Sequence, residues 1–438
     1  TVEYRLNGGD WMMAPPAAVE GTNLIEVRQT DVAGNVGAIG SLTFVLDTIA
    51  PEMPVVTLDT DTGIDDDAIT SAGAYTTTPA EEGGTVEYRL NGGDWMMAPP
   101  AAVEGTNLIE VRQTDVAGNV GVIGSLTFVL DTIAPEMPTI ALDNDNGVAG
   151  DLLTNDGAYT VTPAEAGGTV EYRLNGGAWA ATPPAAVAGT NLVEARQTDT
   201  AGNVGAIGEL TFTLDTVAPV ITNVFASSTA WTAAFIDAID GGGTGAGNGI
   251  GIDLTAGMQP LPWNNVDTLV VQFSEDILGA TGSTLEVRDS LGVIPATVAY
   301  DAATFRAVIE LPAALNFAKI RVAVSDAVED IAGSPLDGGI YDLRFNVLGA
   351  DANGDGRVLG NDLAAFGAAF NTVPGQANYN PRANWNGDAR INGQDLTVFA
   401  ANFNLDLASL SEPAAAFGGG GGGGSGRGGM RDFGFMAD

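Results

Sequence analysis

The stretch Thr169-Val170-Glu171-Tyr172-Arg173-Leu174-Asn175-Gly176-Gly177 decides the fold. Val170, Tyr172 and Leu174 alternate with Glu171, Arg173 and Asn175, the period-2 pattern of a strand with one buried face. Asn175-Gly176-Gly177 is a turn signal. The same nine residue types begin at Thr1 and Thr85, so the unit recurs every 84 residues. Asp-Thr-x-Ala-Pro recurs at the same interval, from Asp47, Asp131 and Asp215. Around the quoted stretch, Thr139 to Leu142, Tyr159 to Thr162, Asn191 to Arg196 and Leu210 to Leu214 read as further short strands. Short strands separated by frequent turns predict a β-sandwich. Residues 1–54 match 85–138 except for Ala38 against Val122, the mark of recent tandem duplication.

The ordered segments Asp-Thr-Ile-Ala-Pro, Thr-Leu-Asp-Thr-Asp-Thr-Gly, Thr-Val-Glu-Tyr-Arg, Gly-Thr-Asn and Arg-Gln-Thr-Asp-Val-Ala-Gly-Asn resemble the bacterial Ig-like repeats of large surface proteins and adhesins. The resemblance spans residues 1–214. It implies a truncated Ig-like repeat at 1–46 and whole repeats at 47–130 and 131–214. Residues 215–346 differ. Asp267 to Asp276 reads as a strand entering an acidic turn, Ala296 to Thr304 as strand then turn, and Ile320 to Val324 and Tyr341 to Val347 as strands. The Phe273-Ser274-Glu275 strand end and the Asp330-Ile331-Ala332-Gly333 turn resemble a second Ig-like class of bacterial surface-layer and secreted proteins. The Gly-rich stretch Gly241 to Gly251 reads as a long loop inserted there.

Asp351, Asn353, Asp355 and Asp362 fall at positions 1, 3, 5 and 12 of a calcium loop, with Gly356 at position 6 and the Arg357 carbonyl at 7. An apolar helix face of Leu363, Phe366 and Phe370 follows. The pattern returns 33 residues later. Asn384, Asn386, Asp388, Arg390 (carbonyl), Asn392 and Asp395 lead into Leu396, Phe399 and Phe403, so two loop-helix units are expected to bury their phenylalanine faces against each other. This pair resembles a type I dockerin over residues 347–410, a small α-helical module that uses Asp at position 12. The resemblance implies two Ca²⁺ ions on the residues named and a cohesin-like or other surface-protein partner. Three departures stand out: Leu359 at position 9, Asn384 for Asp, and Ala389 for the turn Gly. The second loop is therefore expected to bind more weakly. Gly360-Asn361 and Gly393-Gln394 replace the Ser-Thr pairs that often meet cohesin.

The composition agrees with chemistry carried by oxygen ligands. The 438 residues include 16 Lys+Arg, 55 Asp+Glu, no His and no Cys, for a net charge of −39. No Ser-His-Asp triad, cysteine nucleophile, His/Cys zinc site or disulfide can be built from them. The charge argues against nucleic acid and anionic membranes. No apolar run is long enough for a membrane-spanning helix. No catalytic residue is assigned: among so many acids, a pair such as Glu275-Asp276 carries no signal. Trp11, Trp95 and Trp179, one per repeat, read as packing residues in preference to sugar-stacking ones. The loop Asp59 to Asp67, the linker from Asp131 and the turn Asp199 to Asn203 are placed by an Ig-like order at one junction, where either Ca²⁺ would stiffen the chain or the acidic loops are simply solvated and keep the protein soluble.

Residues 411–438 read as a disordered Gly-rich tail with Phe433, Phe435 and Met436 near its end. The whole is expected to be mainly β: tandem Ig-like sandwiches, a calcium-binding module and a tail. The implied function is the non-catalytic C-terminal region of a secreted or cell-surface bacterial protein, serving as stalk and attachment. The alternative is the accessory region of a polysaccharide-degrading enzyme whose catalytic domain precedes Thr1.

Overall fold

A computed structural model describes residues 1–240, 249–255 and 260–417. Most of the Gly-rich stretch and of the tail expected from sequence lies outside the described residues. Those described form two compact units whose boundary runs through the third repeat.

In the first unit, the first repeat is a sheet of β1 (Val2–Leu6), β2 (Gly21–Gln29) and β3 (Gly40–Leu46). The second repeat is a full sandwich. β4 (Val55–Leu58) pairs with β6 (Tyr75–Thr78), and facing them is the sheet β5 (Ile69–Thr70), β9 (Gly124–Leu130), β8 (Gly105–Thr114), β7 (Thr85–Leu90) in that order. Val56, Leu58 and Tyr75 from one sheet close over Ile109, Val111, Phe128 and Leu130 from the other. The two-residue β5 runs parallel to β9, a pairing too short to show as periodicity.

Alternation along β7 and β8 sends Tyr88 and Val111 to the core and Glu87, Arg89, Glu110 and Arg112 outward. The outward residues form two cross-strand ion pairs, Arg89–Glu110 and Arg112–Glu87. Both guanidinium groups also lie over the half-buried Trp95, 4.6 and 4.3 Å from its ring. Trp11 and Trp179 hold the same place in their repeats, so these indoles pack against their own sheet, as expected. The third repeat follows the same strand plan with β10 (Thr139–Leu142), β11 (Leu153–Thr154), β12 (Tyr159–Thr162), β13 (Thr169–Leu174), β14 (Gly189–Thr198) and β15 (Gly208–Leu214).

The second unit contains a larger sandwich. One sheet runs β17 (Ile252–Asp253), β16 (Ile221–Ser227), β18 (Val266–Phe273), β23 (Arg306–Leu315), β22 (Thr297–Asp301). The other runs β21 (Gly292–Ile294), β20 (Leu285–Asp289), β24 (Phe317–Val324), β26 (Tyr341–Leu348). A two-residue pair, β19 (Ile277–Leu278) with β25 (Glu329–Asp330), closes one end. On either side of the Gly-rich stretch lie α1 (Ala233–Ile239) and β17, and Trp231, Phe235 and Trp263 pack edge-on at ring distances of 5.3–5.8 Å. These apolar residues flank the glycines and enter the main core. The strand β26 runs to Leu348, past the expected boundary at residue 346 and directly into the first calcium-type loop.

Successive domains meet through their turns. In the first unit, the Ile64 N–H donates to the Thr200 carbonyl (3.2 Å) and the Thr62 hydroxyl to the Ala201 carbonyl (2.6 Å). Gly63 sits between them at φ 83°, and a Cβ there would lie 2.0 Å from the Thr200 oxygen. Gly63→Ala is therefore expected to break this contact, through a strained φ of about 1–3 kcal/mol compounded by the clash. Hydrogen exchange at Ile64 should accelerate roughly ten-fold or more, with Val111 and Phe128 in the core unchanged; equal protection in the variant would refute the contact.

Candidate metal centre

Both predicted loops lead into the helices expected of them. Asp362 and Asp395 open α2 (Asp362–Ala369) and α3 (Asp395–Asn402). Each of these aspartates is fully buried and reaches back across its loop. Asp362 accepts from the Asn353 and Leu359 N–H groups at 3.2 and 2.9 Å. Asp395 accepts from Asn386 and Asn392 at 3.2 and 2.9 Å. Their positions and acceptor roles match, as a 33-residue duplication requires.

In the first loop, buried Asp351 accepts from the N–H groups of Gly354, Asp355 and Gly356. Gly354 and Gly356 adopt φ 77° and 79°, the left-handed turn that glycine allows. Asp355 is exposed, accepts from the Arg357 N–H and is bonded by the Asn353 amide. In the second loop, the Asn386 amide bonds Asp388 in the same way, Asp388 accepts from the Arg390 N–H, and Asn392 accepts from Gln394. Ala389 is not among the positive-φ residues, so this loop passes its sixth position with an ordinary backbone. Asn384 donates to the Tyr379 hydroxyl and the Asp388 carbonyl, yet its own Oδ1 is buried without a hydrogen-bond partner.

The helices do not bury their phenylalanines directly against each other. Trp385, at position 2 of the second loop and fully buried, stacks between Phe366 and Phe399 at 5.3 and 5.8 Å. Phe370 and Phe403 end their helices and remain about half exposed. Each eight-residue helix ends before its second phenylalanine, and the Trp385 indole fills the space between Phe366 and Phe399. The loops are also cross-tied. Val358 exchanges hydrogen bonds with Asn404 and Leu405 after α3, while Ile391 does so with Asn371 and Thr372 after α2. These partners are again 33 residues apart.

The loops rest on the preceding sandwich. The half-buried Arg382 guanidinium donates to the carbonyls of Asp351, Ala352 and Pro260. Trp263 donates to the Pro381 carbonyl, and Gly387 lies directly under Trp231, where a Cβ would approach to 2.1 Å. Sequence reasoning missed Arg382, Trp385 and this support, because Arg382 precedes the loop and Trp385 and Gly387 fall at loop positions that the ligand spacing leaves unspecified.

Among the described residues, one group of three carboxylates has ligand oxygens within 4.8 Å of one another, and it is Asp215, Glu275 and Asp330, outside both loops. In the loops the carboxylates are turned to backbone N–H groups. At the junction of the second and third repeats, the three expected elements do meet. The Asn203 amide donates to the linker carbonyl of Asp131 and to Asp199 Oδ2, at 2.9 and 2.8 Å. An amide holds that junction, and no group of three carboxylates gathers there.

No family model and no curated protein matches the chain. Among solved structures, a tetra-tandem repeat from the extending region of a large adhesion protein is 17% identical, with 79% of this chain and 91% of that one covered and a TM-score of 0.27. A 1.5-MDa bacterial ice-binding adhesin is 17% identical over 68% and 96%, with a TM-score of 0.28. Fibronectin(III)-like modules of Clostridium thermocellum CbhA are 13% identical over 37% and 94%, at 0.23. Likeness at this level carries no functional argument. No helix of the described residues is long and apolar enough to cross a membrane.

Burial pushes the Asp351 carboxyl up to about 6 from an ordinary 3.8, opposed by the Gly356 and Gly354 N–H groups and reinforced by Asp362 and Asp355. Asp395 is raised for the same leading reason. A carboxyl that is more basic in the folded state stabilises the fold below pH 4 and loses that contribution as pH rises through about 6, on the order of 3 kcal/mol for Asp351. In chelator, the unfolding midpoint of the C-terminal region should therefore be higher at pH 5 than at pH 7.5. Asp351→Asn should flatten that difference; an unchanged pH dependence in the variant would refute the assignment.

Proposed function

We propose that residues 347–410 are a calcium-folded module of dockerin type, carried on a non-catalytic stalk of Ig-like sandwiches at the cell surface or in the extracellular space. The observation that carries this reading is the buried, partnerless Oδ1 of Asn384, at position 1 of the second loop. A buried amide oxygen without a donor costs free energy unless a cation or water completes it. The first loop offers the same place to Asp351.

Asp351, Asn353, Asp355, the Arg357 carbonyl and Asp362 would hold one Ca²⁺. Asn384, Asn386, Asp388, the Arg390 carbonyl, Asn392 and Asp395 would hold the second. The donor set is all oxygen, as Ca²⁺ prefers. Bound Ca²⁺ would neutralise the loop carboxylates and tie each helix start to its loop. Within the chain, Asp362 and Asp395 set the helix starts, Arg382 braces the first loop from the sandwich side, and Trp385 couples the two helices. The exposed pairs Gly360-Asn361 and Gly393-Gln394 lie at the loop positions where a surface-protein partner would dock. The ion-paired, tryptophan-backed sheets of the repeats suit a passive spacer, and the indoles engaged by arginines are not free to stack on sugars.

The full chain unfolded with Ca²⁺ and with chelator tests the reading. Ca²⁺ at a thousand times its Kd adds about 4 kcal/mol, so the midpoint of the C-terminal transition should rise by at least roughly 10 °C. Asp351→Ala should remove much of the rise. An identical midpoint in both conditions would sink the calcium assignment.

A further inference from the structure

The group Asp215, Glu275 and Asp330 lies at the entrance to the larger sandwich. Asp215 belongs to the linker after β15. Glu275 follows β18, and Asp330 ends β25. Asp330 is fully buried. Its Oδ1 accepts from the Ala332 and Ser334 N–H groups at 2.9 and 2.8 Å, while its Oδ2 is buried with no partner. Among the described residues, no arginine or lysine pairs with any of the three.

The repeats show what this place requires. Asp115 and Asp199 open the same Asp-x-Ala-Gly turn as Asp330. Four residues on, Asn119 and Asn203 each use one amide group for two bonds. One goes to the turn aspartate's Oδ2, at 2.8 Å in both cases. The other goes to the linker carbonyl of Asp47 or Asp131, at 3.0 and 2.9 Å. In the larger sandwich the residue at this position is Ser334, which is too short to carry that amide. The acceptor persists, its donor is gone, and Glu275 has joined the linker aspartate, Asp215, whose counterparts Asp47 and Asp131 stand at the other two junctions.

We propose that a Ca²⁺ ion replaces the missing amide, bound by Asp215, Glu275 and Asp330 Oδ2. Oxygens on opposite sides of Ca²⁺, at about 2.3–2.6 Å from it, stand up to about 5 Å apart. The three carboxylates, gathered within 4.8 Å, lie inside that span, and an all-oxygen donor set suits this ion. The ion would join the linker to a turn that the third repeat already grips. Asn155 donates its backbone N–H to the Ala332 carbonyl (3.0 Å) and its amide to the Gly333 carbonyl (2.7 Å). The ion would therefore fix the joint between the two sandwich types.

Native mass spectrometry of the full chain titrated with Ca²⁺ tests this apart from the loops. The unaltered chain should bind one ion more than either Glu275→Gln or Ser334→Asn, and the chain carrying Asp362→Ala with Asp395→Ala should keep that ion. Ser334→Asn is expected to do so while raising the chelator-state midpoint of the larger sandwich, because the amide satisfies Oδ2 directly. Glu275→Gln, which removes one of the three carboxylates, should weaken the ion at least ten-fold. The proposal is overturned if both variants bind the same number of ions as the unaltered chain, or if the double loop variant binds none.

Discussion

A buried aspartate that closes a turn leaves one carboxylate oxygen to be satisfied, and much of this molecule is arranged around that requirement. Asp115, Asp199 and Asp330 each give Oδ1 to backbone N–H groups of an Asp-x-Ala-Gly turn. Asp351 divides its two oxygens among three N–H groups, and Asp362 and Asp395 bridge their loops. Backbone donors make such turns fold, but they neutralise no charge. A buried carboxylate left to them alone remains costly. With 16 basic residues against 55 acids, cationic side chains cannot supply the balance. All six arginines of the repeats are committed to their own sheets. What remains is an amide, a proton or a metal ion.

How much of this was legible in sequence follows from how each feature is encoded. The strands of the repeats were readable because one face is buried and the pattern has period 2. Ile69–Thr70 and Leu153–Thr154 were not, since two residues have no period. The helix Ala233–Ile239 was hidden beside glycines, although Trp231, Phe235 and Trp263 carried the apolar signal for it. The two loops and their helix starts were readable from spacing, because such a loop is local. Trp385 was not, because its stacking partners, Phe366 and Phe399, come from two separate helices. Phe370 and Phe403 matched the helical period but lie beyond the last turn, so period alone assigned them to the wrong environment.

The same contrast explains why the acidic junctions were half understood. Ig-like order brought the loop after β4, the Asp131 linker and the Asp199 turn together, and they do meet. It did not reveal that Asn203 closes the contact, because the Asn of Asp-x-Ala-Gly-Asn looks like an ordinary turn residue. Only the exchange of Asn119 and Asn203 for Ser334, seen beside the partnerless Oδ2 of Asp330, distinguishes a joint closed by an amide from one lacking its donor.

The distinction bears on how a stalk would respond to its surroundings. A joint closed by an asparagine amide holds whatever the ionic content, since both partners are covalent parts of the chain. Joints of that kind lie between near-identical repeats, where copies can be added or lost without retuning each contact. A joint closed by a cation holds only where the ion is supplied. On the reading proposed here, such closures are confined to the boundary between the two sandwich types and to the C-terminal loops. Trp263, Arg382 and Gly387 couple those loops to the larger sandwich. Cation dependence would then be concentrated in the C-terminal half, stiffening the end that carries the attachment module and leaving the rigidity of the repeats independent of the ion.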